Sequence, residues 1–266
     1  GEQLSAYEGI KGKLNSRNPI LLHGVTASGK TEVYFKLIQD TINAGKNVLF
    51  LAPEIALASQ LTQRIARKFG INEVAIWHSS ISDGEKYDVW NRLYNNEIKI
   101  LAGARSAVFA PLQNIGLIII DEEHEGAYKQ SNPAPRYDAK VVAKKLAQYH
   151  NAPLLLGSAT PDISTYYYAS NNNTLFEMPH RFNDAPMASI GIINMQEYSR
   201  ASYKGVISKQ LQTAVEETLE AGQQIIILIN RRGFSTSTMC KSCGPVIECP
   251  NCAIPLIWHA KDKKLK

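Results

Sequence analysis

The 266-residue chain reads as an α/β protein built on a largely parallel sheet, and two observations predict this. Short apolar runs alternate with amphipathic, helix-length segments through most of the sequence. The runs are apolar throughout, not at every second residue, which is the pattern of strands covered on both faces. Hydrophobic residues make up 44% of the chain, enough for a substantial core and for more than one.

The elements follow in order. "PILLHG" (Pro19–Gly24) is a strand, and a helix runs from Lys30 to about Ala44. "NVLFLAP" (Asn47–Pro53) is the next strand. A helix then spans Ile55 to Phe69, with Ile55, Leu61, Ile65 and Phe69 on one face. "EVAIWH", "IKILAG", "LIIID" and "PLLLGS" supply further strands. The Asn- and Pro-rich segment Ser170–Pro186 reads as a connection. A second alternation then begins with "SIGIINM", a helix near Ser208–Ala221 and the strand "QIIILIN" (Gln224–Asn230). One lobe over 1–185 is therefore expected, the start of a second over 186–235, and a cysteine-rich region over 236–266.

The net charge of +5 is modest. Residues 1–190 hold 19 Lys/Arg against 18 Asp/Glu, and residues 191–266 hold 10 against 6. A basic C-terminal part suits a phosphate backbone, and a solvated surface accounts for it equally well. No apolar run approaches the roughly 18 residues that span a bilayer. The N-terminal residues lack a secretory layout, so a cytoplasmic protein without a membrane partner is expected.

"GVTASGKT", comprising Gly24, Val25, Thr26, Ala27, Ser28, Gly29, Lys30 and Thr31, fits G-x-x-x-x-G-K-[ST] between a strand and a helix. Its backbone N–H groups and the helix N-terminus would face phosphate oxygens of ATP. Lys30 would reach the β- and γ-phosphates, and the Thr31 hydroxyl would ligate Mg²⁺. An ordinary glycine-rich turn into a helix is the alternative.

"LIIIDEEH" delivers Asp121 at a strand end, where ligands of open α/β sheets collect. Asp121 is placed to hold Mg²⁺, and Glu122 to orient and deprotonate a water. His124 either joins them or caps a helix. Ser158 and Thr160 in "LGSATPD" could relay from the acidic motif, although turn chemistry alone explains such hydroxyls. "YKQSNPAPRY" offers Tyr128, Lys129, Arg136 and Tyr137, rings that can stack on bases and cations that meet phosphates, or tyrosines packed on the lobe. Arg231 and Arg232 in "NRRG" suit a DNA backbone or a paired surface turn.

"GVTASGKT", "DEEH" and "GSATP", in that order, resemble a superfamily-2 helicase. "APEIALASQL", "WHSSISDGEKYDVW", "GARSAVFAP", "IDEEHEGAYKQ", "PRYDAK", "NRRGFSTSTMCKSCG" and "ECPNC" are similar to successive blocks of the PriA family of bacterial primosomal helicases. The resemblance implies a P-loop NTPase (RecA-like) lobe, the start of a second such lobe and a partial zinc-binding insertion. It implies ATP-driven 3′–5′ unwinding, recognition of stalled or branched forks and single-stranded DNA, and loading of the replicative helicase. Primosome proteins and single-stranded DNA-binding protein are the partners it implies.

By resemblance, Gln3 contacts adenine, Arg105 lies in a strand-contacting motif, and Tyr128–Tyr137 couples DNA binding to hydrolysis. Another superfamily-2 translocase, or a zinc-dependent DNA-binding module with a non-hydrolysing P-loop, is the alternative. The family's later motifs, with arginines that complete the ATP site, are not among these blocks. The chain alone is therefore expected to bind nucleotide, hydrolyse it slowly and not unwind DNA.

Cys240, Cys243, Cys249 and Cys252 form two Cys-x-x-Cys hooks, and clustered cysteines in a reducing compartment favour Zn²⁺ over disulfides. In the family, four hooks bind two zinc ions, each ion using an early and a late hook. That implies that the two hooks here serve different ions.

Overall fold

The structure, a computed structural model, describes residues 1–53, 60–184, 186, 188–194, 207–228, 247–252, 254, 256, 258–259 and 264–265. Contacts divide the chain into two compact units, Gly1–Met187 and Ala188–Lys266.

The first unit is built on a seven-stranded sheet. Its strands are β1 (Ile20–Gly24), β2 (Asn47–Leu51), β3 (Val74–Trp77), β4 (Ile100–Gly103), β5 (Ile115–Asp121), β6 (Leu154–Ser158) and β7 (Leu175–Met178). Their order is β3-β4-β2-β5-β6-β1-β7, and every adjacent pair is parallel. Successive residues of a strand point to opposite faces. Ile20, Leu22, Val48, Phe50 and Ile119 thus join one core with helices α1 (Glu2–Lys11), α2 (Lys30–Asn43) and α3 (Gln60–Phe69). Leu21, Leu49, Leu51, Ile118 and Ile120 join the other, with α4 (Asp83–Tyr94), α5 (Ala139–His150) and α6 (Ile163–Asn171). Two covered faces explain why the strands carry no polar alternation.

Caps mark where helices begin. Ser82 and Glu85 form a reciprocal capping box at α4, and the Asp138 side chain accepts the Lys140 amide at the start of α5. Both are readable as sequence signals.

Two expectations need correction, and one element is unexpected. The segment read as a connection contains β7, whose Leu21–Leu175 to Gly24–Met178 register makes it a parallel neighbour of β1. Asn and Pro on either side hide a strand of four residues. Helix α1 also precedes the first strand, and its buried Ala6 and Ile10 are too few to give a clear period. In the second unit, the described parts of the expected strands, 189–194 of "SIGIINM" and 224–228 of Gln224–Asn230, form no strand; Met195, Ile229 and Asn230 lie outside the described residues. Ile190, Ile192, Ile226 and Leu228 are exposed there, because an apolar run becomes a strand only when a neighbour completes its ladder.

The helix expected near Ser208 is present as α7 (Lys209–Glu220), with the Ser208 hydroxyl accepting the Leu211 amide. A short antiparallel pair, β8 (Trp258–His259) and β9 (Lys264–Leu265), lies near the end of the chain. Among the described residues no helix is long and apolar enough to cross a membrane.

Candidate functional site

Residues 25–29 connect the end of β1 to α2 and wrap the helix N-terminus. Gly29 has φ 93°, a left-handed conformation that favours glycine, and a Cβ there would displace the Gln3 amide. Ala27 also occupies the left-handed region, at φ 65°. Strain of this kind concentrates at binding loops. The Gln3 side chain donates to the Ser28 carbonyl at 3.3 Å and thereby braces the loop. A cavity of about 630 Å³ opens over it, bounded by Thr31, Arg64, Asp121, Glu122 and Phe182.

These residues fit a nucleotide's phosphates. Lys30 Nζ is folded onto the Gly24 carbonyl at 2.7 Å, an acceptor that a phosphate oxygen can replace. Ser28 Oγ is buried with no hydrogen-bond partner, which a buried hydroxyl rarely tolerates. The helix N-terminus adds its own preference for an anion.

β5 brings the acidic motif to the same edge. Asp121 pairs in register with Gly157 of β6, the strand between β5 and β1. Burial raises its carboxyl pKa, against the opposing effect of a hydrogen bond from Tyr34. Tyr34 Oη donates to Asp121 Oδ1 at 2.9 Å, and Tyr128 Oη donates to the Asp121 backbone oxygen at 2.6 Å. Burial drives both phenols' pKa values upward. Asp121 and Thr31 border one cavity, a hard-oxygen pair of the kind Mg²⁺ takes.

Glu122 sits at φ 47°, a left-handed backbone that turns its side chain out of the strand direction. His124 Nδ1 lies 2.8 Å from Ser158 Oγ and 3.7 Å from Glu122 Oε2, and its Nε2 lies 3.3 Å from Thr160 Oγ1. The structure therefore brings Glu122, His124, Ser158 and Thr160 into one chain of contacts.

Sequence reasoning passed over Glu123. It is fully buried, and its carboxylate accepts from Lys140 Nζ (2.9 Å), the Asp162 amide (2.7 Å) and Thr165 Oγ1 (3.1 Å). Lys140 also reaches Asp162 at 2.6 Å. These two carboxylates hold the ammonium charged against its partial burial. The acidic motif, the start of α5 and the start of α6 thus meet at one side chain.

The segment before α5 is strapped rather than loose. Lys129 and Asp138 form an antiparallel bridge, and the Gln130 side chain donates to the carbonyls of Pro133 and Pro135. Arg105 donates to the carbonyls of Ala127 and Lys129, with its guanidinium over the Tyr137 ring. Tyr137 packs against Phe109 at 4.8 Å. Of the two readings of Tyr128, a ring for base stacking or a tyrosine packed on the lobe, the structure shows the second: it is 1% exposed, its ring in the core and its hydroxyl on β5. Lys129 and Arg136 are exposed.

A second cavity, of about 390 Å³, adjoins the first and shares Gln3, Ser28 and Phe182 with it. His180 contacts Glu2 of α1 at 2.5 Å, and the Phe182 amide donates to Ala27. The residues after β7 therefore form a wall beside Gln3. No local signal in the sequence places Phe182 there, since its contact is with Ala27, far away in the chain.

Cys249 and Cys252 are described; Cys240, Cys243, Arg231 and Arg232 lie outside the described residues. The Asn251 amide, with Cys252, donates to the Cys249 sulfur and lowers its thiol pKa, an arrangement that suits a thiolate ligand. One hook supplies two of the four ligands that a structural zinc takes. Among the described residues no three His, Cys, Asp or Glu side chains form a metal cluster.

Residues 2–163 match the family model described as "Type III restriction enzyme, res subunit". Replication restart protein PriA of Bacillus subtilis (strain 168) is 42% identical over 268 residues, covering 100% of this chain and 33% of its own length. The PriA of Synechocystis is 43% identical over 251 residues, covering 92% of this chain and 30% of its own. The chain thus spans about a third of the length of these relatives.

Among solved structures, the DUF1998 helicase MrfA superposes with a TM-score of 0.56 at 17% identity, over 87% of this chain and 36% of that one. RecG bound to a three-way DNA junction gives 0.50 at 21%, over 83% and 31%. At such identities the likeness concerns the fold alone, an α/β fold on a parallel sheet that the chain shares with these proteins. The chain belongs to the family of the type III restriction enzyme res subunit, and within it matches the PriA replication restart proteins along nearly its whole length.

Proposed function

We propose that the chain is the nucleotide-binding part of an ATP-driven DNA helicase acting in replication restart. The observation that carries this is the cavity where the phosphate loop, Asp121 and Glu122 converge. The names of the relatives supply the process, and the fold supplies the class of motor.

In the proposed cycle the Lys30 ammonium leaves the Gly24 carbonyl for phosphate oxygens, and the loop amides cradle them. Thr31 and Asp121 would hold Mg²⁺, which neutralises charge between the β- and γ-phosphates when bound. Glu122 orients a water and accepts its proton. His124 passes any shift at Glu122 to Ser158 and Thr160. Gln3 and Phe182 flank the space for an adenine base. Lys129, Arg136 and Tyr137 are the residues proposed to meet single-stranded DNA; Arg231 and Arg232, by resemblance, suit a DNA backbone.

The proposal extends by resemblance to branched forks, 3′–5′ polarity and primosome proteins as partners. It extends also to zinc held by the cysteine hooks, and to a division at about residue 185 between two lobes. Fluorescent ADP and ATP binding to the 266-residue chain tests the core of it. Wild type should bind, and Lys30→Ala should weaken binding at least tenfold, a loss of about 1.4 kcal/mol or more for a charge-assisted contact. Equal affinity for the two proteins would exclude a phosphate role for Lys30.

A further inference from the structure

We infer that Tyr34 is a positioning residue that presents Asp121 to the divalent cation carried by the nucleotide, an inference that rests on the nucleotide reading above. Tyr34 lies on α2 one helical turn beyond Lys30. Its ring is completely buried, edge-on to Phe50 with centroids 5.9 Å apart. A buried phenol must find an acceptor, and the one it finds is the carboxylate itself, at 2.9 Å.

The terminal torsion of an aspartate is broad and roughly two-fold, so packing alone sets the plane of its carboxylate poorly. The Tyr34 hydroxyl restrains that plane by engaging Oδ1, and the Glu122 amide donates to the same carboxylate beside it. Tyr128 holds the other end of the residue through the backbone oxygen, so Asp121 is fixed in both main chain and side chain.

Space for the hydroxyl is built into the neighbouring strand. Gly157 stands directly across from Asp121, and a Cβ there would collide with Tyr34 Oη. Tyr34 also shares a helix with Thr31, the other side chain placed to hold the cation. One buried ring therefore sets where the carboxylate stands relative to the hydroxyl. Partners that orient metal ligands in this way are commonly needed for full metal affinity.

The test separates metal from nucleotide. Mn²⁺ binding to the ADP complex of the 266-residue chain is measured by the electron paramagnetic resonance of free Mn²⁺, and metal-free ADP binding by calorimetry. Tyr34→Phe should weaken Mn²⁺ binding about tenfold or more and leave metal-free ADP affinity within about twofold. Gly157→Ala, which crowds the hydroxyl from the opposite strand, should produce the same split.

Unchanged Mn²⁺ affinity in Tyr34→Phe overturns the inference. So does an equal loss of metal-free binding, the result expected of a ring that only fills space. A wild-type chain that binds no ADP would refute the nucleotide reading itself, and the Tyr34 inference with it.

Discussion

Removing the Glu123 carboxylate should cost the first unit more stability than any surface change, because three donors converge on it in a site closed to water. Breaking a buried ion pair from one side typically costs about 3–5 kcal/mol. Here Asp162 stays 2.6 Å from Lys140 and keeps the ammonium paired, which reduces the charge penalty. The Asp162 amide and the Thr165 hydroxyl lose their acceptor, at about 1 kcal/mol or more each. The expected cost of Glu123→Ala is therefore about 2–3 kcal/mol, or roughly 5–10 °C in melting temperature for a unit of this size. Glu123→Gln retains the shape and one acceptor oxygen and should cost about 1 kcal/mol.

Urea unfolding of the 266-residue chain, followed by circular dichroism, measures both variants. Lys140→Met placed in the Glu123→Ala background should cost less than Lys140→Met alone, since the two share one network. If Glu123→Ala lies within about 0.5 kcal/mol of wild type, or if Ala and Gln cost the same, the buried acceptor is not holding these three segments together.

Three further outcomes are expected. Phe182→Ala should lower adenine nucleotide affinity about tenfold, as loss of a stacked ring does, with little change in stability because the ring is largely exposed; unchanged affinity would move the base elsewhere. Asp40 is held below its ordinary value of 3.8 by Lys11 and Tyr7, so its contribution is present above that value and is lost as pH falls through the lowered one. The stability difference between wild type and Asp40→Asn should accordingly shrink on acidification, and a constant difference would rule out the ionised contact. Atomic emission of the purified chain should give at most one zinc per molecule; two would mean that both hooks complete separate sites.

Legibility in the sequence followed the range of the interaction. β1, the phosphate loop and α2 are contiguous, so apolar run, glycines and periodicity marked them together. Asp121 was marked by the end of an apolar run. Tyr34 and Glu123 were not, because their partners lie 87 residues away in one case and as many as 42 in the other. Tyr128 is open between stacking and packing in the sequence for a related reason: a tyrosine in a Pro-containing, charged segment looks like surface, and only the tertiary fold turns it inward. The second-unit strands failed in the opposite direction, since their apolar runs are real but no described strand pairs with them.

The sheet order also bears on how the protein is made. β1 precedes both of its neighbours in the finished sheet, β6 and β7, which are contributed by residues 154–158 and 175–178. Until those residues leave the ribosome, the strand that carries the phosphate loop has no native edge to join. Closing so long a segment is entropically costly before the pairing rewards it. The cavity beside residues 25–29 is therefore expected among the last parts of the first unit to form, with Leu21 and Leu22 enclosed only once β6 and β7 pair with β1.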